Sequence, residues 1–274
     1  MLSYIEIKIQ AKTAEERELL IAILAEEGFE GFEESEDNLL AFVAEINFNR
    51  NNLEALMRRL HYEYTVATIE QQNWNQLWES NFEPVQIGTF CHIRAHFHPP
   101  AAGVDHEIVI TPKMSFGTGH HATTGLMIEA MKDLDIEGKA VLDFGTGTGV
   151  LAILAEKLGA GRVDAIDVDE WSIANARENF CINHTQHIFL HQASTISLPG
   201  LYDVVLANIN KNVILENMGR IKSHLAAEGL VLLSGLLTGD CDEVVEAAAA
   251  HDLALNDLRE KKDWILLNLA MRQY

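Results

Sequence analysis

Three glycines, each separated from the next by a single residue, form the most distinctive short segment of the chain. Gly145, Gly147 and Gly149 follow the apolar run of residues 141–144, which is typical of a buried strand, and they precede a run typical of a helix. Because glycine has no side chain, a turn made from these residues can tighten and bring its backbone close to a ligand. A strand–turn–helix of this kind predicts a binding site for a nucleotide-like cofactor.

Two residues beside the turn indicate the class of cofactor. A dinucleotide-binding protein would have its third glycine one residue later, where this chain has Val150. Asp143 stands just before the turn, where a carboxylate would repel a pyrophosphate but attract the ammonium group of an amino-acid cofactor. Both features favour S-adenosylmethionine over a nicotinamide dinucleotide. We predict that Asp143, Gly145 and Gly147 contact it.

Polar side chains also end the next strands of this region. Asp167 lies near the end of the predicted strand 163–168, where a carboxylate can accept hydrogen bonds from both hydroxyls of a ribose. The alternative role, a cap for the following helix, suits Asp169, so we assign Asp167 to the ribose and Asp169 to the cap. Asn208 ends the predicted strand 203–208, at the sheet edge where ligands bind. Its amide could bond the cofactor or accept a hydrogen bond from an amine, and a plain turn asparagine is the alternative.

A segment rich in glycine and histidine, residues 115–124, precedes the predicted helix 125–131, and we expect it to arch over the pocket as a loop. Its adjacent histidines, His120 and His121, are poor joint ligands for one metal ion, because neighbouring side chains on a regular element diverge. No other set of His, Cys or carboxylate residues stands at ligand spacing, so we predict no metal site. Three further histidines are interpreted as surface or packing residues: His184, His187 and His191.

The overall composition bounds the class of protein. The 274 residues carry a formal net charge of −21, which repels nucleic acid and attracts basic partners; good solubility is the plain alternative. Three distant cysteines fit a reducing compartment, and neither a signal peptide nor a membrane-spanning run is visible. We therefore predict a cytoplasmic protein that requires neither a membrane nor direct contact with nucleic acid.

Residues 1–70 show the pattern of a small α+β domain. Apolar alternation over residues 5–10 predicts a strand, and Thr13 with Glu16 predicts a capping box at the start of a helix. The full order of strand, helix, strand, strand, helix, strand is that of a ferredoxin-like split sheet. The third strand is predicted to carry one apolar face, formed by Leu40, Phe42, Ala44 and Ile46.

The rest of the chain divides into a linker and a larger domain. We predict a linker over residues 71–84, containing a helix over 73–82 with Trp74 and Trp78 on one face, and then a domain over residues 85–274. From residue 139 onward strands and helices alternate, which gives a mostly parallel α/β sheet with helices on both faces. The predicted strands of this domain are 89–97, 107–111, 141–144, 163–168, 187–191, 203–208, 230–234 and 264–269.

Together these segments resemble a known family. The loop 115–124, the turn that begins at Asp143, Asp167 and the strand end at Asn208 look like those of the bacterial ribosomal-protein methyltransferases called PrmA. The loop pattern Phe-Gly-Thr-Gly-x-His-x-Thr-Thr is the most specific of these features. The resemblance covers nearly the whole chain. It implies a ferredoxin-like α+β domain followed by a class I Rossmann-like methyltransferase domain with a mostly parallel, seven-stranded sheet.

The resemblance also implies a function. It implies that Thr124, Gly145, Asp167 and Asn208 contact S-adenosylmethionine, and that residues 1–70 recognise the substrate, protein eleven of the large ribosomal subunit. The methyl groups would go to lysine and N-terminal amines of that protein. We expect a monomer, and we assign no residue as a general base.

Three alternative functions fit part of the sequence. A methyltransferase for RNA or a small molecule on the same fold would show a basic groove or an aromatic cage, and neither stands out. A nicotinamide oxidoreductase is disfavoured by Asp143 and Val150. A ribosome-assembly module without catalysis is disfavoured because the predicted cofactor residues are all present.

Overall fold

The computed structural model describes residues 4–29, 31–34, 37–69, 82–113 and 116–272. The chain forms two compact units, residues 1–77 and 78–274, and each is described by itself. The predicted linker helix over residues 73–82, with Trp74 and Trp78, lies outside the described residues except for Phe82. The predicted domain boundaries therefore stay predictions.

The first unit is an antiparallel sheet with two helices. The sheet has the order β2-β3-β1-β4, which is the ferredoxin-like arrangement that the sequence predicts. The elements are β1 (Tyr4–Gln10), α1 (Ala14–Glu26), β2 (Gly31–Glu34), β3 (Asn38–Ala44), α2 (Arg50–Leu60) and β4 (Tyr64–Ile69).

The start of α1 has the predicted capping box. Thr13 Oγ1 accepts a hydrogen bond from the Glu16 amide at 3.2 Å, and Glu16 Oε2 accepts one from the Thr13 amide at 3.1 Å. These two bonds satisfy amides that a helix N-terminus otherwise leaves without partners. Gly28, just beyond the end of α1, has a φ of +91°, which residues other than glycine rarely adopt. The predicted capping box is confirmed.

The predicted apolar face of β3 is partly correct: Leu40, Phe42 and Ala44 share one face of the strand, but Ile46 lies beyond it and the opposite face is the more buried one. Leu39, Ala41 and Val43 are fully buried, whereas Ile46 is 83% exposed and lies in a 3-10 turn over Glu45–Asn47. Both faces of this strand are apolar, so a period-two pattern could not choose between them. Pairing decides it instead, because the buried residues of β3 stand opposite the buried isoleucines of β1, with Ala41 opposite Ile7.

The second unit contains the large sheet. Its seven strands have the order β10-β9-β8-β11-β12-β14-β13. The neighbours from β10 to β12 are parallel, and β14 is antiparallel to both β12 and β13. The predicted fold class is confirmed. The strands are β8 (Ala140–Phe144), β9 (Arg162–Asp167), β10 (Ile188–Gln192), β11 (Tyr202–Asn208), β12 (Leu225–Leu237), β13 (Leu253–Lys261) and β14 (Trp264–Met271).

Helices cover both faces of this sheet, and a separate three-stranded sheet in the order β5-β6-β7 lies in the same unit. Within the described ranges, no helix is long and apolar enough to cross a membrane. The remaining elements are β5 (Val85–Ile87), β6 (Cys91–Ala95), β7 (His106–Ile110), α3 (Ala122–Met131), α4 (Val150–Lys157), α5 (Glu170–Ile182), α6 (Lys211–Ser223) and α7 (Cys241–Ala250).

Several elements of this unit differ from the sequence prediction, among them β12, which spans Leu225–Leu237 where 230–234 was predicted. β5 and β13 were not predicted, because β5 has only three residues and β13 is a largely exposed edge strand with few apolar residues. Helix α3 begins at Ala122 instead of Gly125, since the side chain of His121 occupies its N-cap position. Thr123 and Thr124 therefore belong to the first turn of the helix and not to the preceding loop.

A buried carboxylate joins three strands of the large sheet. The side chain of Asp164, in β9, has no exposed surface and accepts hydrogen bonds from Arg162 Nε at 2.7 Å and from Tyr202 OH at 3.1 Å. His191 Nε2, in β10, lies 2.8 Å from the other oxygen of the same carboxylate. Although burial alone raises the pKa of Asp164, these hydrogen bonds outweigh it and hold the pKa below its usual value. His191 thus has a specific partner that the sequence did not reveal.

We expect Asp164→Ala to destabilise the protein by about 1–3 kcal/mol, because it leaves the buried hydroxyl of Tyr202 without its acceptor. Asp257→Ala is the matched control, since Asp257 also pairs with an arginine two residues away on one strand, Arg259, but is about half exposed. Its loss should cost less than about 1 kcal/mol. Urea unfolding of both variants measures the difference, and equal losses would contradict this account of Asp164.

Candidate functional site

A cavity of about 490 Å³ lies at the carboxyl ends of β8, β9 and β11. This is the sheet edge at which open α/β folds bind their ligands, and the volume falls in the range of small-molecule sites. Four residues predicted from the sequence line the cavity together: Gly145, Gly147, Asp167 and Asn208. The remaining two predicted residues, Thr124 and Asp143, are buried close by and do not line it.

The glycine turn follows β8 and cannot accept side chains. Gly145, Gly147 and Gly149 have φ values of +82°, +55° and +82°. A Cβ atom at Gly145 would lie 2.2 Å from the side chain of Ile209, and one at Gly147 would lie 2.3 Å from the carbonyl oxygen of Phe116. Both the backbone conformation and the lack of space therefore require glycine. The sequence prediction of a tight turn at a binding site is consistent with this geometry.

The carboxylate of Asp167 faces this turn. Its Oδ2 accepts a hydrogen bond from the Gly147 amide at 2.8 Å, and its Oδ1 accepts one from the Asp169 amide at 3.0 Å. These two bonds hold the carboxylate at the cavity wall and leave acceptor capacity on both oxygens. Asp169 itself accepts hydrogen bonds from the amide and hydroxyl of Ser172 at 2.9 and 3.0 Å. Its predicted role as the cap of α5 is confirmed.

Thr124 and Asn208 meet beneath the turn. Asn208 Nδ2 donates to Thr124 Oγ1 at 3.4 Å, and both residues are buried. They also line a second, smaller cavity of about 10 Å³ that includes Gly145. Asn208 Oδ1 has no hydrogen-bond partner among the described residues. Because a buried polar atom without a partner is costly, this oxygen is a candidate acceptor for a hydrogen bond from a ligand.

Asp143 is the most perturbed acid near the site. Its side chain is buried, and Oδ2 accepts a hydrogen bond from Thr146 Oγ1 at 2.6 Å. Burial raises the pKa of Asp143 to about 7, and the negative charge of Asp167 adds to the effect. The predicted contact between Asp143 and a cofactor ammonium group stays a prediction, because Asp143 lines neither cavity.

An aromatic wall of the cavity combines Phe116 and His121, from the loop that the sequence predicts to arch over the pocket, with Trp264, which the sequence did not predict. The ring centroids of His121 and Trp264 are 4.5 Å apart, and those of Phe116 and His121 are 5.3 Å apart. All three residues line the cavity. Trp264 begins β14, far from the glycine turn in sequence, and no local pattern marked it as a site residue.

The two adjacent histidines of the loop diverge as the sequence predicts. The ring of His120 contacts Phe82, with centroids 4.9 Å apart, while His121 contacts Trp264. In the part of the chain that the structure describes, no group of three or more His, Cys, Asp or Glu residues is arranged to hold a metal ion.

Comparison with known proteins identifies the family. A sequence model described as "Ribosomal protein L11 methyltransferase (PrmA)" matches residues 4–272. The chain belongs to this family. The resemblance predicted from the sequence is confirmed, and the protein is a methyltransferase.

Relatives and a solved structure agree with this assignment. A ribosomal protein L11 methyltransferase of Porphyromonas gingivalis is 40% identical over 258 residues, which cover 91% of this chain and 89% of the relative. One of Chlorobaculum parvum is 39% identical over 81% of each chain. The crystal structure of a ribosomal protein L11 methylase from Lactobacillus delbrueckii subsp. bulgaricus has a TM-score of 0.66 and 27% identity. It covers 70% of this chain and 100% of its own.

The raised pKa of Asp143 predicts how stability depends on pH. A carboxyl group with a folded pKa near 7 and an unfolded pKa near 3.8 stabilises the fold fully below the lower value. That contribution is lost as the pH rises through 7, by at most about 1.4 kcal/mol for each pH unit in between. Asp143→Asn keeps an acceptor for Thr146 and cannot ionise, so its stability relative to the wild type should increase from pH 5 to pH 8.

Urea unfolding of both proteins at each pH unit measures this difference. Asp203→Asn, which changes an acid that accepts a hydrogen bond from the Ala140 amide, controls for the general loss of one acidic side chain. A constant difference between Asp143→Asn and the wild type would show that Asp143 does not titrate in this range.

Proposed function

We propose that this enzyme transfers methyl groups from S-adenosylmethionine to lysine and N-terminal amines of ribosomal protein L11. The observation that carries the proposal is the meeting of the glycine turn, Asp167 and Asn208 at one cavity. The relatives named for activity on L11 support the choice of substrate.

The residues around the cavity fit the cofactor. The turn at Gly145 and Gly147 lines the cavity with its backbone, because neither position has a side chain and the turn packs tightly against Ile209 and Phe116. Asp167 has acceptor capacity for the two hydroxyls of a ribose. Asn208 Oδ1, buried and without a partner in the described residues, can accept from an ammonium or amine group. The site thus offers a separate polar group for each end of the cofactor.

The protein's own contribution to the reaction is mainly binding, orientation and exclusion of water. When bound, S-adenosylmethionine supplies a methyl group that its sulfonium charge already activates. The wall formed by Phe116, Ile209, Val213 and Trp264 is largely apolar. Such surroundings lower the pKa of an incoming amine, because burial disfavours its charged form. A lysine, with an ordinary pKa near ~10.4, needs this help more than an α-amine near ~7.7–8.0.

The charge of the chain suits a basic protein substrate. A formal net charge of −21 attracts cationic partners and repels nucleic acid backbones. We assign recognition of the ribosomal protein to the ferredoxin-like unit, and we propose that the enzyme acts as a cytoplasmic monomer without direct nucleic-acid contact. No described residue is assigned as a general base.

Incubation of the purified enzyme with S-adenosylmethionine and recombinant L11 should increase the intact mass of L11 by whole methyl groups. Peptide mapping should place these groups on lysines and on the N-terminal amine. A reaction without the cofactor is the control. An enzyme that binds S-adenosylmethionine but leaves the mass of L11 unchanged would exclude this substrate.

Asp167→Asn should weaken binding of S-adenosylmethionine by about 10- to 100-fold, the usual effect of losing a hydrogen bond to a charged group. Asp169→Asn is the matched control, because Asp169 lies two residues away, caps α5 and does not line the cavity. Isothermal titration calorimetry gives both affinities. Equal affinities for the two variants would remove Asp167 from the cofactor site.

A further inference from the structure

Three asparagines on one face of α5 and its C-cap act as the partner of an edge strand. Asn175, Asn179 and Asn183 are spaced four residues apart, so their side chains lie in one row; we call them the asparagine row. The row faces the end of β7, which is an edge strand of the three-stranded sheet. Edge strands leave backbone groups without hydrogen-bond partners. The side chains of the asparagine row supply partners for such groups.

The asparagine row bonds the backbone groups of every second residue of this segment, Val109 and Thr111. The side chain of Asn183 accepts from the amide of Val109 at 3.0 Å and donates to its carbonyl oxygen at 2.6 Å. Thr111 is held in the same way by two residues, because its amide donates to Asn179 Oδ1 at 2.8 Å and its carbonyl accepts from Asn175 Nδ2 at 3.1 Å.

Asn179 differs from the rest of the row because it also bonds the glycine turn. Its Nδ2 donates to the carbonyl oxygen of Thr148 at 2.9 Å, and both residues are fully buried. Thr148 in turn donates from its amide to Phe116 O at 3.0 Å and from Oγ1 to Gly117 O at 2.8 Å. One side-chain amide therefore joins the end of β7 to the glycine turn, and the turn is bonded to the histidine loop, residues 116–121.

We infer that Asn179 is a positioning residue for cofactor binding. This inference rests on the proposed function, since the ligand positioned is S-adenosylmethionine. The bond from Asn179 fixes the Thr148 carbonyl and so the neighbouring Gly147, whose amide holds Asp167. It also fixes Thr148, whose amide donates to the carbonyl oxygen of Phe116 and whose hydroxyl donates to that of Gly117, so that Phe116 is held at the cavity wall.

An amide side chain is required for this role. Asn179 accepts through one atom and donates through the other, and water cannot replace it because the position is fully buried. Asn179→Leu keeps a side chain of similar shape but leaves both the Thr111 amide and the Thr148 carbonyl without partners. Asn183→Leu is the control, because it removes one accepted and one donated bond to Val109 and one donated bond to the Asn179 carbonyl, but no bond to the glycine turn.

The test is titration of wild type and both variants with S-adenosylmethionine by calorimetry, together with steady-state kinetics on L11 and thermal unfolding. Both substitutions should lower Tm. We expect Asn179→Leu to weaken cofactor binding by about tenfold, or about 1.4 kcal/mol, and Asn183→Leu by less than about twofold. The KM for S-adenosylmethionine should rise with the Kd, while kcat at saturating cofactor stays near that of the wild type. A purely structural defect would instead lower kcat by reducing the active fraction.

Other results would contradict either the inference about Asn179 or the proposed function. Unchanged affinity in Asn179→Leu, or an equal loss in Asn183→Leu, overturns the inference and leaves the proposed function standing. No binding to the wild type overturns the proposed function itself. If Asn179→Leu does not fold, Asn179→Asp decides, because it keeps the acceptor for the Thr111 amide and removes the amide donor to the Thr148 carbonyl. A raised Kd supports the inference, and an unchanged Kd refutes it.

Discussion

Backbone packing at the glycine turn is the constraint on which the rest of the site depends. The carbonyl oxygen of Phe116 lies where a side chain at Gly147 would be, and the amide of Gly147 donates to Asp167. Three segments that are distant in the sequence therefore meet at one residue. This contact sets the position of the ribose-binding candidate, Asp167, and of one aromatic wall residue, Phe116, at the same time. A larger residue at position 147 would have to push Phe116 away from the turn and so from Asp167.

The parallel sheet explains why the strand ends could be predicted from the sequence. Asp143, Asp167 and Asn208 each lie at or next to the carboxyl end of an apolar strand, and parallel neighbours bring such ends to one edge. Continuous apolar runs were sufficient to locate these strands, because strands buried on both faces show such runs instead of alternation. The same rule fails for β13, an edge strand in which most side chains are exposed. It also fails for β3, where both faces are apolar and only pairing with β1 selects the buried one.

The contacts that cross the fold could not be predicted in this way. Trp264 reaches the cavity because β14 is inserted antiparallel between β12 and β13, which no local pattern encodes. The helical spacing of Asn175 and Asn179 was visible in the sequence, but it would ordinarily indicate a solvated face. Their partners are backbone groups of β7 and of the turn, so the pattern has a meaning only once those elements are placed. The role of His121 as an N-cap could not be predicted either, because histidine is not a usual N-cap residue.

The two acids of the site differ because their surroundings differ. Asp167 lies at the cavity wall and accepts two backbone hydrogen bonds, which suit a carboxylate. Asp143 is buried beneath the turn, and the charge of Asp167 further disfavours its ionisation, so its pKa rises to about 7. A cation bound in the cavity would oppose both effects on Asp143, because opposite charge favours the ionised form. The sulfonium and ammonium groups of the proposed cofactor carry such charge, so its binding and the release of a proton from Asp143 are thermodynamically linked.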